Sequence, residues 1–447
     1  MAMSVAREHW GSRLGFIMAS AGSAVGLGNV WKFPYMAGEN GGGAFLIIYL
    51  GCVVFFGLSL VIAELLIGRM AQSNPVGAFR TLGGRGWPAV GAMGVLTAFI
   101  ILSFYIVVAG WTLAYILFMG ENTFGGVDIE QSTKIFTSFI ASPVQPLVYA
   151  AIFTVLMVGV VLGGVASGIE RASKWLMPLL FVLLIVLAIR AVTLPGAGEG
   201  VDFYLMPDWS RVTASTWGGA ISQAFFSLSL GMGAMLTYGS YMSREQNLPR
   251  DASLVVGLDT LVALLAGLVI LPAVFSAGME PSAGAGLTFM TLPTVFAEMP
   301  AGEIFGLAFF ILLAIAALTS AVSLLEVVVS YLVDDKGLSR FAAAAGTGIV
   351  IFIIAIPISL SQGIWKENTI AGMTFLDFAD FVTAHVMMPV GGLLIALFVG
   401  WRLGPRAVEA LKSHPEQHLP LAGLWLFVLR FLAPAGIAWI LVQGFFE

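Results

Sequence analysis

Ala21-Gly22-Ser23-Ala24-Val25-Gly26-Leu27-Gly28-Asn29-Val30-Trp31-Lys32-Phe33-Pro34 lies inside an apolar segment, about Leu14 to Met36, that is long enough to cross a bilayer. Four of its residues are glycine or proline, and Ser, Asn and Lys interrupt the rest. Lipid penalises backbone whose N–H and C=O groups are unpaired, so a broken helix at membrane depth must be covered by protein or line a polar cavity. The stretch therefore predicts a discontinuous helix at an ion or solute site, with Gly26 and Gly28 permitting the break. A second reading is a glycine-rich helix that packs closely on a neighbour.

The whole chain is built for lipid. Of 447 residues, 59% are hydrophobic and only 10% charged, and the mean hydropathy is +0.97. A soluble domain carries about 25% charged residues, so this composition predicts a polytopic membrane protein. The net charge of −5 gives a nucleic-acid partner no support. The single cysteine, Cys52, sits in an apolar run, which excludes a disulfide or cysteine-metal framework. His414 and His418 have helical spacing, but Pro415 stands between them and argues against a helix. The segment before Leu14 is short and polar, without a cleavable signal pattern.

Eleven hydrophobic spans are predicted, at about 12–38, 42–70, 88–119, 146–165, 171–191, 216–243, 252–279, 303–334, 340–360, 374–402 and 419–446. They are numbered 1 to 11 below. The connection at 280–302 carries an apolar piece, Leu287 to Phe296, too short to span and suited to a re-entrant or capping role. Of the twenty Lys and Arg residues, fourteen fall on one set of ends and loops, four on the alternate set, and Lys32 and Arg430 within spans. This asymmetry places the N-terminus in the cytoplasm, and eleven spans then place Glu447 outside.

A second broken span follows five spans after the first. Ser222-Gln223-Ala224-Phe225-Phe226-Ser227-Leu228-Ser229-Leu230-Gly231-Met232-Gly233-Ala234 again mixes serine and paired glycines into apolar sequence. Each break opens a block of five spans, and an odd repeat length inverts the second block. Breaks at matching positions of inverted halves point to a transporter's midplane site. The chain thus reads as one transporter unit, 1–447, with a first repeat at 12–191, a second at 216–402 and an additional span at 419–446.

Embedded charges cost roughly 2.5–3.5 kcal/mol each on insertion scales, so Lys32, Glu39, Glu64, Asp259, Glu326 and Asp380 stand out. Asp259 has no basic neighbour in sequence; a bound cation would compensate it, and a hydrogen-bonded or protonated acid is the other reading. Glu64 is placed to hydrogen-bond the unwound backbone of a broken helix. Lys32 and Asp380, near the outer ends of spans 1 and 10, can pair over a site. Thr319 and Ser320 lie mid-span 8; they suit a small monovalent cation or bond back into their own helix. A helix half that resumes after a break offers free N–H groups and about half a positive charge, and one that ends there offers carbonyls. Together they favour a carboxylate beside an ammonium, as in an α-amino acid. No nucleophile–base pair, metal motif or phosphate loop is present, so an enzyme is not expected.

At these residues the chain resembles the neurotransmitter:sodium symporter family, with the leucine-transporter fold. The motifs are Arg7-Glu8-His9-Trp10, Gly22 to Pro34, Glu39-Asn40-Gly41-Gly42-Gly43-Ala44-Phe45, Gln223 to Ser229, and Leu318-Thr319-Ser320. The resemblance covers essentially the whole chain, and eleven spans look like the bacterial branch, in the inner membrane, that carries bulky hydrophobic amino acids. It implies an all-α protein of two inverted five-helix repeats plus an eleventh transmembrane helix.

The resemblance also implies roles for residues. Substrate would meet Ala24, Leu27, Gly28, Tyr105, Phe226, Ser227, Ser229 and Ser320, with its side chain towards Ile101, Met232 and Leu324. A first sodium site would use Ala24, Asn29, Ser227 and Asp259, and a second Gly22, Val25, Ala316, Thr319 and Ser320. An outer gate would pair Lys32 with Asp380 under a Tyr105–Phe226 lid. An inner gate would pair Arg7 with Asp334, helped by Trp10 and Tyr241. The family's usual asparagine is replaced by Asp259, and Ala263 follows four residues later, so no chloride requirement is expected. Met232 between Gly231 and Gly233 leaves room for a large aliphatic or aromatic side chain. The expected partners are an L-amino acid, sodium and the bilayer. A proton-coupled transporter of the same fold, with Asp259 as carrier, and a non-transporting amino-acid sensor or channel are the alternatives.

Overall fold

The computed structural model describes residues 7–279, 284–414 and 417–443. The predicted external end at Glu447 and the first residues of the 280–302 connection lie outside them. Helices dominate, and among the described residues the only β pairings are the isolated bridges Gly42–Pro207 and Ile370–Met373.

All eleven predicted spans correspond to helices. Nine are continuous: Gly43–Ala71, Pro88–Gly120, Gln145–Leu162, Val165–Val192, Leu248–Ser276, Gly302–Lys336, Arg340–Leu360, Phe375–Leu403 and Ala422–Val442. Span 1 is the pair Arg13–Ala24 and Gly28–Glu39, bent by 51° at the break. Span 6 is the pair Ala214–Ser227 and Ala234–Gly239, separated by the non-helical stretch 228–233. The two breaks predicted from glycine content are thus the two places where a span is interrupted.

The two breaks form differently. In span 6, Ser229, Gly231 and Gly233 have φ of 54°, 78° and 79°, a region that glycine enters without cost and serine does not. In span 1 the helix ends because Val25 turns extended, with φ −66° and ψ 113°. Gly26 and Gly28 do not take positive φ; they are needed for room. A Cβ on Gly28 would stand 2.6 Å from the Phe226 ring, and one on Gly26 would stand 3.1 Å from the Ser320 hydroxyl and the Tyr105 hydroxyl. Gly26 and Gly28, expected to permit the first break, do so through close approach rather than backbone freedom, whereas Gly231 and Gly233 supply positive φ at the second.

Spans 1, 3, 6 and 8 converge on one cavity. Span 1's inner half packs on spans 5, 7 and 8, and span 3 packs along span 8. One end of the bundle is covered by residues 284–302, whose helix Thr291–Glu298 is buried over its first six residues. Phe289 there sits in an aromatic cluster with Trp31, Trp111, Tyr115 and Phe136. Its carbonyl accepts from the Tyr115 hydroxyl at 2.8 Å. This apolar piece therefore caps the bundle.

Candidate functional site

Unpaired backbone at the breaks is answered by side chains from other spans. Glu64 Oε1 accepts the Gly231 N–H at 2.8 Å, so the embedded acid of span 2 supports the break in span 6, as its position suggested. Gln223 Nε2 donates to the Gly28 carbonyl at 2.8 Å. The Ser229 hydroxyl donates to the Ser23 carbonyl at 3.0 Å. Span 6 is thereby tied to span 1 from the last turns of its first half and from its break, and side chains there satisfy backbone carbonyls of span 1.

Beside the breaks lies a fully buried polar cluster. Asn29 Nδ2 donates to Asp259 Oδ1 at 2.7 Å and to Ser227 Oγ at 2.8 Å. The Ser227 hydroxyl in turn donates to Asp259 Oδ2 at 2.7 Å. Tyr49 reaches the same serine oxygen from 3.3 Å. Asn29, Ser227 and Asp259 are all at 0% exposure, and no Lys or Arg joins them. A buried carboxylate faced only by neutral donors is a strong attractor for a small cation. Sequence reading named Asn29, Ser227 and Asp259; it missed Tyr49, which lies in an apolar run, and it quoted Gln223 within the second break without giving it a role.

On the other side of span 1, Gly22 and Gly26 face span 8. A Cβ on Gly22 would meet the Thr319 side chain at 3.1 Å, which puts Gly22 against Thr319 and Gly26 against Ser320. The Thr319 hydroxyl is bonded back to the Ile315 and Ala316 carbonyls at 3.1 and 3.2 Å. The structure thus brings together glycine backbone of span 1 and the hydroxyls of span 8, and in this arrangement Thr319 satisfies itself within its own helix.

Between the two clusters is a small cavity of about 20 Å³. Its polar end is formed by the break of span 1: Ala24, Gly26, Leu27 and Gly28, with the Leu27 N–H directed to the Tyr105 hydroxyl at 3.3 Å. Ser229 and Ser320 complete that end, and Ile101, Phe226, Met232 and Leu324 form the apolar remainder. Ten of the eleven residues expected to meet substrate line this cavity. Ser227 does not; its hydroxyl is turned to Asp259. Gly26, not among the expected residues, does.

Above the cavity is a second space lined by Trp31, Lys32, Tyr35, Leu376, Asp377 and Asp380. It shares Leu27, Tyr105 and Phe226 with the cavity below, so these three form the partition between them. Lys32 and Asp380 both face this vestibule, as expected, but they do not form an ion pair. The Lys32 ammonium lies 4.8 Å from the centre of the Phe226 ring instead.

The opposite end is sealed. Arg7 pairs with Asp334, donates to the Ser240 hydroxyl at 2.5 Å and lies 4.7 Å over the Tyr241 ring. Trp10 donates from its indole to the Tyr238 carbonyl at 3.0 Å and packs edge-on against Tyr238 and Tyr241. The four residues expected at the inner gate are therefore one contiguous plug. The Tyr241 hydroxyl also donates to Glu326 at 2.6 Å, and Arg340 pairs with Glu326 at 2.6 Å. This answers the embedded charge of Glu326 with a cation fourteen residues away, beyond the reach of local patterning.

Among the described residues no cluster of three or more His, Cys, Asp or Glu is arranged to hold a transition metal. The donors here are carboxylate, amide, hydroxyl and carbonyl oxygens, which suit an alkali cation.

Comparisons agree with this architecture. A solved structure titled MhsT in complex with L-phenylalanine superposes with a TM-score of 0.91 at 48% identity, covering 98% of this chain and 100% of that one. An uncharacterized sodium-dependent transporter, YhdH, of Bacillus subtilis (strain 168) is 41% identical over 430 residues, 96% of this chain and 95% of that protein. The sodium-dependent serotonin transporter of Drosophila melanogaster is 30% identical over 489 residues, 98% of this chain and 76% of its own. The fold is the leucine-transporter fold of a multi-span membrane protein. Residues 7–124 and 138–446 match the sodium:neurotransmitter symporter family, and the chain belongs to that family.

Proposed function

We propose that this protein is a sodium-coupled symporter that imports bulky hydrophobic L-amino acids by alternating access. The observation that carries the reading is the small cavity with backbone N–H and hydroxyl groups at one end and Ile101, Phe226, Met232 and Leu324 at the other. A carboxylate fits at Leu27, Gly28 and Tyr105, where a resuming helix presents its positive end. An ammonium fits the carbonyls of Ala24 and Phe226 near Ser229. The apolar wall takes a large aliphatic or aromatic side chain, and the related MhsT has been crystallised with L-phenylalanine.

Sodium is the coupling co-substrate. The first ion is held by the Ala24 carbonyl, Asn29, Ser227 and Asp259, together with the substrate carboxylate, so solute and ion share a ligand. The second is held by the carbonyls of Gly22, Val25 and Ala316 with Thr319 and Ser320. It ties span 1 to span 8, and its departure frees the inner half of span 1. Asp259 supplies the negative charge that would otherwise call for an anion, so chloride is not required.

The two five-span blocks, 12–191 and 216–402, act as inverted halves, with 419–446 outside the exchange. Spans 1, 2, 6 and 7 rock against the rest, from an outer vestibule at Lys32 and Asp380 to an inner plug at Arg7, Trp10, Tyr241 and Asp334. The protein sits in the bacterial cytoplasmic membrane with its N-terminus inside and its C-terminus outside. The membrane potential contributes about 2.3 kcal/mol per charge per 100 mV.

The test is binding of radiolabelled leucine, phenylalanine and tryptophan to purified protein, with sodium titrated against potassium at fixed pH. Saturable binding only with sodium, lost in Asp259→Ala and weakened in Ser320→Ala, supports the reading. Binding that ignores sodium and follows pH overturns it in favour of proton coupling.

A further inference from the structure

Outside the transport path, a groove of about 510 Å³ opens on the lipid-facing surface between spans 4 and 5. Its upper walls are apolar: Val155, Leu156 and Gly159 on span 4. Val155 is 71% exposed and Trp175 77% exposed, which in a membrane span means contact with lipid. Its other end is polar. Ser167, Arg171 and Trp175 follow one another at intervals of four along the start of span 5, and all three line the groove.

Among the described residues no acid pairs with Arg171, the cation of this groove. The acid beside it, Glu170, is committed elsewhere: to Lys174 at 2.6 Å, to the Ser12 hydroxyl at 2.9 Å and to the Gly11 N–H at 2.6 Å. Glu8, the next acid on this side, accepts the Val165 N–H at 2.6 Å and approaches Arg340. Arg171 therefore presents a guanidinium to the membrane surface, at the lysine- and arginine-rich end of the protein. An exposed tryptophan one turn deeper marks the depth of the headgroup boundary.

We propose that this groove binds one anionic phospholipid, with its phosphate on Arg171 and Ser167 and an acyl chain along Val155, Leu156 and Gly159. Charge complementarity selects the headgroup, because a planar guanidinium binds phosphate through paired N–H donors. The gap at Gly159 selects a chain: a Cβ there would meet nothing within 4 Å, so the space is open for a methylene run. Trp175 closes the side of the groove and offers its indole N–H to the ester region. The occupant touches the first helical residues of span 5, Val165–Glu170, which Glu8 and Glu170 tie to the segment before span 1.

The test uses full-length protein, delipidated and then exposed to phosphatidylglycerol or phosphatidylcholine of identical chains, with bound lipid counted by native mass spectrometry. The wild type should retain one phosphatidylglycerol in preference to phosphatidylcholine. Arg171→Ala should weaken retention about fivefold, and Arg171→Lys should recover part of it. Gly159→Leu, which fills the groove and leaves every charge in place, should weaken it as well. Arg85→Ala removes a cation from a loop on the same basic end and should change nothing. Equal retention of the two lipids, equal loss in Arg85→Ala, no effect of Gly159→Leu, or displacement by inorganic phosphate alone would each overturn the proposal.

Discussion

Asn29 Nδ2 stands 2.7 Å from Asp259 Oδ1 and 2.8 Å from Ser227 Oγ, so one amide from the break of span 1 holds an acid of span 7 and a serine of span 6 in a single buried cluster. Three spans are joined where a cation is expected. The following outcomes depend on that cluster and on its surroundings.

Asp259→Asn keeps the shape and removes the charge. Sodium affinity should fall by at least about thirtyfold, since loss of one buried charge partner costs on the order of 2 kcal/mol or more. Sodium titration of amino-acid binding measures this. Chloride should begin to stimulate binding in the variant while leaving the wild type unaffected.

Gly28→Ala tests the close approach of the two broken spans. Its Cβ would press on the Phe226 ring from 2.6 Å, and the ring must shift into the cavity. Equilibrium binding of phenylalanine should drop tenfold or more (about 1.4 kcal/mol), and thermal stability should fall as well, since overpacking costs roughly 1–3 kcal/mol. Unchanged affinity would mean that Phe226 does not bound the substrate space.

Glu64→Ala should destabilise the protein, because the Gly231 N–H would be left buried and unpaired at a cost of about 1–3 kcal/mol. Glu64→Gln retains an acceptor oxygen and should lose less. Thermal unfolding in detergent ranks the two. An equal loss in both would place the importance of Glu64 in its charge rather than in this hydrogen bond.

Arg7→Ala removes a cation that contacts Asp334, Ser240 and Tyr241 together. The inner plug should open more often, so a single cysteine placed at Ser229 in a Cys52→Ala background should label faster from the cytoplasmic side. Arg7→Lys should fall between, because an ammonium cannot reproduce the forked contacts of a guanidinium.

Lys32→Ala should speed amino-acid release by a few-fold, since a cation over an aromatic ring contributes about 0.5–2 kcal/mol. Asp380→Asn should have a smaller effect, because Lys32 rests on Phe226 and not on Asp380. Dissociation of bound radiolabelled phenylalanine, chased with unlabelled ligand, separates the two. A larger effect in Asp380→Asn would show that the ion pair forms once substrate is bound.

The sequence by itself determined the spans, the two interrupted helices and the supporting place of Glu64. These follow from local rules: apolar length against bilayer thickness, and glycine and polar residues where lipid forbids unpaired backbone. Resemblance to a family then named most of the cavity's residues. Which side chains meet across the bundle was decided only by tertiary structure. Gln223 on the Gly28 carbonyl, Tyr49 on Ser227, and Arg340 on Glu326 join residues far apart in the chain. No local pattern encodes such pairs, because each depends on how whole helices are turned and packed. The same holds for Lys32, whose charge is legible in sequence but whose partner is not. Its long stem reaches both Phe226 and the acid-lined vestibule, and the packed positions of spans 1, 6 and 10 set which contact it makes.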